Sequence, residues 1–228
     1  MEVHSSWNDF YDKEEFESIL ALLNNQIFYP EKDKILRFMK NDLSKAKYVL
    51  FGLDPYIGTN EYGNIATGRC FEINGYNNWQ QTTKNISITN ILKAIYYQIY
   101  HEHADIETIR QKISEEHFIM EPSELFDSLE KQGMILTNYS LTVQKKAGDN
   151  IKIWHDYTER LIKFMMEYND NIKFILWGKK VQERLEPIIN DPTKWIEDYH
   201  PRCLKFVTDN TSLEKINGIY VCKRKLIH

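Results

Sequence analysis

Three residues of chemically capable type stand just behind short apolar runs. Asp54 follows Tyr48–Phe51, Asn138 follows Met134–Leu136, and His200 follows Trp195–Tyr199. A carboxylate, an amide and an imidazole can supply acid–base and hydrogen-bonding chemistry if the fold brings them to one place. Each has a plain alternative. Asp54-Pro55 is a common turn signal. Asn after a strand is often only a turn residue. His200-Pro201 can be purely structural. A further apolar run ends in Gly178-Lys179-Lys180, which adds cations to the set. Singly these residues say little, but together they occupy one class of position, the ends of strands.

The elements that must hold them are legible from apolar spacing. Lys13 to Leu23 carries Phe16, Ile19, Leu20 and Leu23 at helical intervals, and Ile35, Leu36 and Met39 mark a second helix. Tyr48–Phe51 and Met134–Leu136 read as buried strands, Ile172–Trp177 as a third strand and Trp195–Tyr199 as a fourth. Helices are expected over Ile86–Tyr97, Ile109–Ile113, Leu125–Leu129, Trp154–Tyr168, Val181–Ile189 and Leu213–Ile216, with Pro122 separating two of them. Buried strands alternating with helices predict an α/β fold: a central, mostly parallel four-stranded sheet with helices on both faces. Such sheets bind ligands beyond the carboxyl ends of their strands, where Asp54, Asn138 and His200 fall.

Composition limits the function classes. The 228 residues predict a single domain spanning 1–228, with no internal repeat and no linker. Lys+Arg number 29 and Asp+Glu 33, a net charge of −4, so a globally basic nucleic-acid coat is excluded while a local basic patch is not. Cys70, Cys203 and Cys222 are odd in number and widely spaced, which suits a reducing, cytoplasmic setting rather than a disulfide framework. The polar start of the chain shows no secretory signal, and no apolar run approaches the length of a membrane helix. No HExxH arrangement occurs, and His101 and His103 lie in a polar stretch. Aromatic residues, at 13%, are plentiful, and a bulky core accounts for most of them.

Five segments, in order, resemble the family 1 uracil-DNA glycosylases. Gly52-Leu53-Asp54-Pro55-Tyr56 is similar to their GQDPYH motif, and Thr67-Gly68-Arg69-Cys70-Phe71 to GLCFS. Gly133 to Asn138 with Leu141-Thr142-Val143 is similar to GVLLLN…LTV, Phe174 to Gly178 to FLLWG, and His200-Pro201-Arg202-Cys203-Leu204 to HPSPL. The resemblance implies a monomeric enzyme that flips uracil out of DNA and hydrolyses its glycosidic bond with no metal or redox cofactor. It implies Asp54 as the carboxylate that stabilises the sugar cation and positions water, and His200 as a neutral donor to uracil O2. It further implies Asn138 as reader of O4 and N3–H, Phe71 as the stacking ring, Tyr56 as the ring that excludes the thymine methyl, and Leu204 as the wedge that enters the vacated stack.

The departures from the family pattern cluster on DNA contacts. Leu53 stands for Gln beside the base, Ile57 for His, and Lys179 for Ser. The family's proline-rich loop is here Asn78 to Thr83, without proline, so a less rigid loop is expected; Thr82 keeps a hydroxyl for the DNA backbone, and Trp79 either meets DNA or anchors the core. Lys179, Lys180, Arg202 and Lys205, with Lys223-Arg224-Lys225, would form a basic rim for phosphates. Retained excision with altered affinity for DNA, and for protein inhibitors that mimic DNA, is the expected outcome. The competing readings are a DNA- or partner-binding protein of the same fold with attenuated catalysis, and a glycosylase for another base.

Overall fold

The computed structural model describes residues 2–24 and 26–221. Its centre is a sheet of four parallel strands, β1 (Tyr48–Gly52), β4 (Met134–Asn138), β5 (Lys173–Trp177) and β6 (Trp195–Asp198), in the order β4-β1-β5-β6. A short antiparallel hairpin, β2 (Thr59–Asn60) and β3 (Gly63–Asn64), lies between β1 and β4 in the chain and was not anticipated. The eight α-helices among the described residues are α1 (Lys13–Ala21), α2 (Ile86–Tyr100), α3 (Ile106–Glu116), α4 (Pro122–Lys131), α5 (Ile151–Tyr168), α6 (Lys179–Ile189), α7 (Lys205–Thr208) and α8 (Ser212–Lys215). None is long and apolar enough to cross a membrane.

β1, β4 and β5 are apolar on both sides because both sides are covered, whereas β6, at the edge, leaves Glu197 exposed. Val49, Phe51, Ile135, Phe174 and Leu176 face a core completed by α1, α5 and α6. Their alternates Tyr48, Leu50, Met134, Leu136, Ile175 and Trp177 face a second core with α2, α3 and α4. β1 sits between β4 and β5, so the chain crosses it in passing from one to the other, and a crevice opens beyond its carboxyl end.

Three expectations need correction. Ile35, Leu36 and Met39 are buried, but in place of one helix there are two 3-10 turns, Lys32–Lys34 and Arg37–Lys40: Met39 lies in the second, and Ile35 and Leu36 cap the junction between them. Leu36, at φ −101° and ψ 30°, interrupts the run, so core contacts rather than continuous helical bonding hold the segment. Pro122 does not merely separate two helices: it is the first residue of α4, where its missing N–H costs nothing. The strand expected to reach Tyr199 stops at Asp198, whose carboxylate accepts the Tyr199 N–H at 2.7 Å.

Candidate functional site

The carboxyl ends of the strands enclose a cavity of about 550 Å³, and Asp54, Asn138 and His200 all line it, with Leu53, Tyr56, Phe71, Lys179 and Arg202. Register explains the nearest pair. Gly52 is the partner of Asn138 across β1 and β4, and a Cβ on Gly52 would stand 2.2 Å from Asn138 Oδ1. Glycine is thus required for the amide to lie across the strand end. Asn138 is 3% exposed, and no hydrogen bond to another described residue occupies its side chain. A buried amide in that state is a strong site for a polar ligand.

His200 is held on the opposite wall. Its Nδ1 accepts the Arg202 N–H at 3.0 Å, so a neutral ring carries its proton on Nε2 and keeps that group free to donate. His200 as a residue is exposed, but partial desolvation of its ring within the cavity, and then the charges of Arg202 and Lys180, lower its pKa and favour the neutral form. Asn90 on α2 donates to the Pro201 carbonyl at 2.7 Å and ties the loop down. Gly178, at φ +100°, leaves room for the His200 Cβ, which a side chain there would approach to 2.7 Å.

Asp54 is half-buried, and its Oδ1 accepts the Gly148 N–H at 3.0 Å. Burial raises its pKa, assisted by the Asp149 charge and opposed by the Gly148 N–H, Lys180 and Arg184. The loop that delivers Gly148 is shaped by Asp149, whose carboxylate accepts the N–H groups of Gln144, Lys145 and Lys146. Gly148 and Asp149 were missed from sequence; the Gly-Asp-Asn run at 148–150 signalled only a turn.

Phe71 is 7% exposed and adopts φ +63°, a conformation unusual for an aromatic residue and one that marks strain at functional positions. Its ring centroid lies 5.6 Å from Trp177 and 6.0 Å from His200. The preceding residue but one, Arg69, holds this backbone in place. Its buried guanidinium binds Glu72 at 2.8 Å, Asp127 at 2.7 Å and Glu130 at 2.5 Å, so the segment is clamped to α4. The Cys70 thiol donates to the Leu50 carbonyl, and burial pushes its pKa well up, which leaves it a core residue. Burial raises the Tyr56 phenol to about 12, so it stays neutral; its hydroxyl lies against Asn85 and Ser87.

The rim is less uniform. Leu204 is 72% exposed at the start of α7, an element the apolar spacing did not reveal. Arg202 and Lys205 are exposed, the latter with its ammonium 5.3 Å from the Tyr199 ring. Lys179 lies 3.7 Å from Glu183 on α6, a weak surface pair. Lys223-Arg224-Lys225 and Cys222 lie outside the described residues. Thr82 is placed differently from expectation. It is fully buried; its hydroxyl donates to the Trp79 carbonyl at 2.9 Å and accepts from Arg110, so it is not open to a DNA backbone. Trp79 is 2% exposed and donates from Nε1 to the Met120 carbonyl, which resolves it as a core anchor. The proline-free loop is a 3-10 turn, Trp79–Lys84, closed by a reciprocal Asn78–Gln81 capping box. Internal bonds therefore brace the segment that lack of proline was expected to loosen.

The chain resembles known proteins along most of its length. It is 31% identical over 210 residues to a uracil-DNA glycosylase of Streptococcus mutans, covering 87% of this chain and 83% of the relative. It is 27% identical over 212 residues to a uracil-DNA glycosylase of Azobacteroides pseudotrichonymphae, covering 88% and 84%. Among solved structures, wild-type UNG from Nitratifractor salsuginis shares the fold with a TM-score of 0.75 at 18% identity, over 97% of this chain and 94% of that one. A mimivirus UNG variant in complex with UGI gives a TM-score of 0.63 at 22% identity, over 89% and 71%. No family profile matches the chain.

Proposed function

The chain belongs to the uracil-DNA glycosylase family, and from that premise we propose how its pocket removes uracil from DNA. The reaction hydrolyses the N-glycosidic bond and leaves an abasic site for base excision repair. A base inside a duplex cannot be reached, so the uracil is turned out of the stack into the cavity. Phe71 lies along its face. Asn138 donates to O4 and accepts from N3–H, a pattern that leaves cytosine with unpaired buried groups. Tyr56 crowds C5 and excludes a methyl group there.

As the bond stretches, positive charge grows on the sugar and negative charge on the base. The Asp54 carboxylate faces the sugar, stabilises the cation and orients the attacking water. The His200 Nε2–H donates to O2 and stabilises the departing anion. A neutral ring suits this role because it donates without surrendering its proton. Leu53 contributes apolar surface beside the base. On the rim, Leu204 enters the gap left by the flipped nucleotide, while Lys179, Arg202 and Lys205 meet phosphates. A mimivirus relative binds UGI. A DNA-mimicking inhibitor would meet this same rim, and the substitutions at Ile57 and Lys179 should change its affinity for this chain.

The observation that carries the reading is the meeting of Asp54, Asn138 and His200, remote in sequence, on one cavity. The test is release of uracil from a uracil-containing oligonucleotide by the wild type, Asp54→Asn and His200→Asn. The wild type should yield abasic product, and each variant should be slower by about 10²- to 10⁴-fold. No product from the wild type at enzyme excess would refute the reading, and near-normal rates in both variants would refute the roles.

A further inference from the structure

The hairpin of β2 and β3 stands beside the mouth of the pocket and presents Tyr62 at its tip, 49% exposed. So open a side chain is ordinarily loose, but this one is fixed. The Tyr62 N–H donates to Asn60 Oδ1 at 2.8 Å, and its carbonyl accepts from Asn74 Nδ2 at 2.8 Å. Asn60 Nδ2 in turn donates to the Asn74 carbonyl at 2.7 Å. The ring lies directly over Gly75, where a Cβ would come within 1.9 Å of Tyr62 Cδ2.

Between this hairpin and the 79–84 turn runs a groove of about 510 Å³, walled by Tyr56, Ile57, Tyr62, Ile65, Ile73 and Tyr76. Tyr56 is a shared partition, with the uracil pocket on one side and the groove on the other. A smaller recess that also touches Tyr56 lies between Lys84 and Arg202. Both cations are exposed, and neither has a carboxylate partner among the described residues. The one acidic side chain on the groove, Glu61, is on the hairpin. Lys84 lines both the groove and the recess, so a cation stands where the aromatic groove meets the pocket side.

Resting on the assignment of the pocket to a flipped uracil, the geometry points to this groove as the seat of the base next to the uracil on the same strand. The strand is a continuous polymer, so a neighbour must emerge beside the pocket. Its phosphate would face Lys84 and Arg202, and its base would stack on the fixed aromatic walls. Stacking tolerates any base, so the groove asks for a base rather than for a sequence. It also asks for an unpaired one, since a neighbour inside a duplex keeps its own stack.

The test uses single-stranded oligonucleotides with one deoxyuridine, with the 5′ or the 3′ neighbour replaced in turn by an abasic tetrahydrofuran. In the wild type, one of the two replacements should lower kcat/KM by about five- to tenfold. In Tyr62→Ala the same replacement should cost less than about twofold, and Tyr62→Phe, which keeps the ring, should behave as the wild type. Thermal melting of each variant establishes that the fold is kept. A wild type indifferent to both replacements overturns the proposal, as does a Tyr62→Ala variant that retains full sensitivity. Failure to excise from every substrate is a different result: it overturns the reading of the pocket, and the groove with it.

Discussion

Gly52→Ala tests the site through a residue that has no side chain to take part in the chemistry. The added methyl carbon would lie 2.2 Å from Asn138 Oδ1 and 3.0 Å from the Cys70 Cβ. Cβ contacts below 3.0 Å are essentially never seen, so the amide must retreat by about 0.8 Å at least, and by more to reach ordinary contact. Cys70 is buried and cannot yield freely. The Asn138 side chain, which has no competing partner, is the part that moves. Displacement of a positioning group by about 1 Å costs about 10²-fold in rate. Overpacking of this kind destabilises by about 1–3 kcal/mol. Gly52 has no positive φ, so the backbone itself accepts alanine. Single-turnover excision with enzyme in excess isolates the chemical step, and a urea melt separates misplacement from unfolding. Discrimination against cytosine should fall together with the rate. A folded Gly52→Ala protein excising uracil within about threefold of the wild type would refute the argument that the strand register places Asn138.

Asp54→Asn should raise Tm at pH 7 even as it slows excision by orders of magnitude. The folded-state pKa of Asp54 is raised, so the native state holds its proton more tightly and stability falls as pH rises through that range. The gain from Asn should vanish below the ordinary carboxylate pKa, and a gain that persists there would contradict the linkage. Lys180→Gln should shift the acid limb of excision to higher pH. Lys180 lowers the pKa of Asp54 and of His200, so its loss favours the protonated form of each; a pH–rate profile that is unmoved or moves down would count against it. Arg69→Met leaves the buried Glu130 without a cation, while Glu72 and Asp127 keep only the longer contacts to Arg37, and should cost about 3–5 kcal/mol in a urea melt. It should also slow excision by freeing the Phe71 backbone, and a loss below about 1 kcal/mol would show that the clamp is dispensable.

Much of this molecule was legible in its residues. Short apolar runs named β1, β4 and β5, because a strand covered on both faces is apolar almost throughout; β6 lies at the sheet edge with Glu197 exposed. The ends of these strands named Asp54, Asn138 and His200, because parallel sheets open at that edge. The ordered motifs named the chemistry. Periodicity says little about what a polar or aromatic side chain will meet, and there the fold alone decided. Thr82 looked open to DNA because its segment is polar, and Trp79 fitted DNA or core equally; packing against Arg110 and Met120 buries both. Gly148 reaches Asp54 across 94 residues of sequence, and Arg69 reaches Glu130 across 61; no local pattern encodes such a partner. The hairpin of four strand residues was too short to show alternation, and its hold on Tyr62 comes from Asn74 and Gly75, which only folding brings beneath it. Composition and spacing record what each segment prefers by itself. Which hydroxyl is spent inside, which carboxylate keeps an N–H partner and which ring stays open to a ligand are settled by neighbours that the chain meets only once folded.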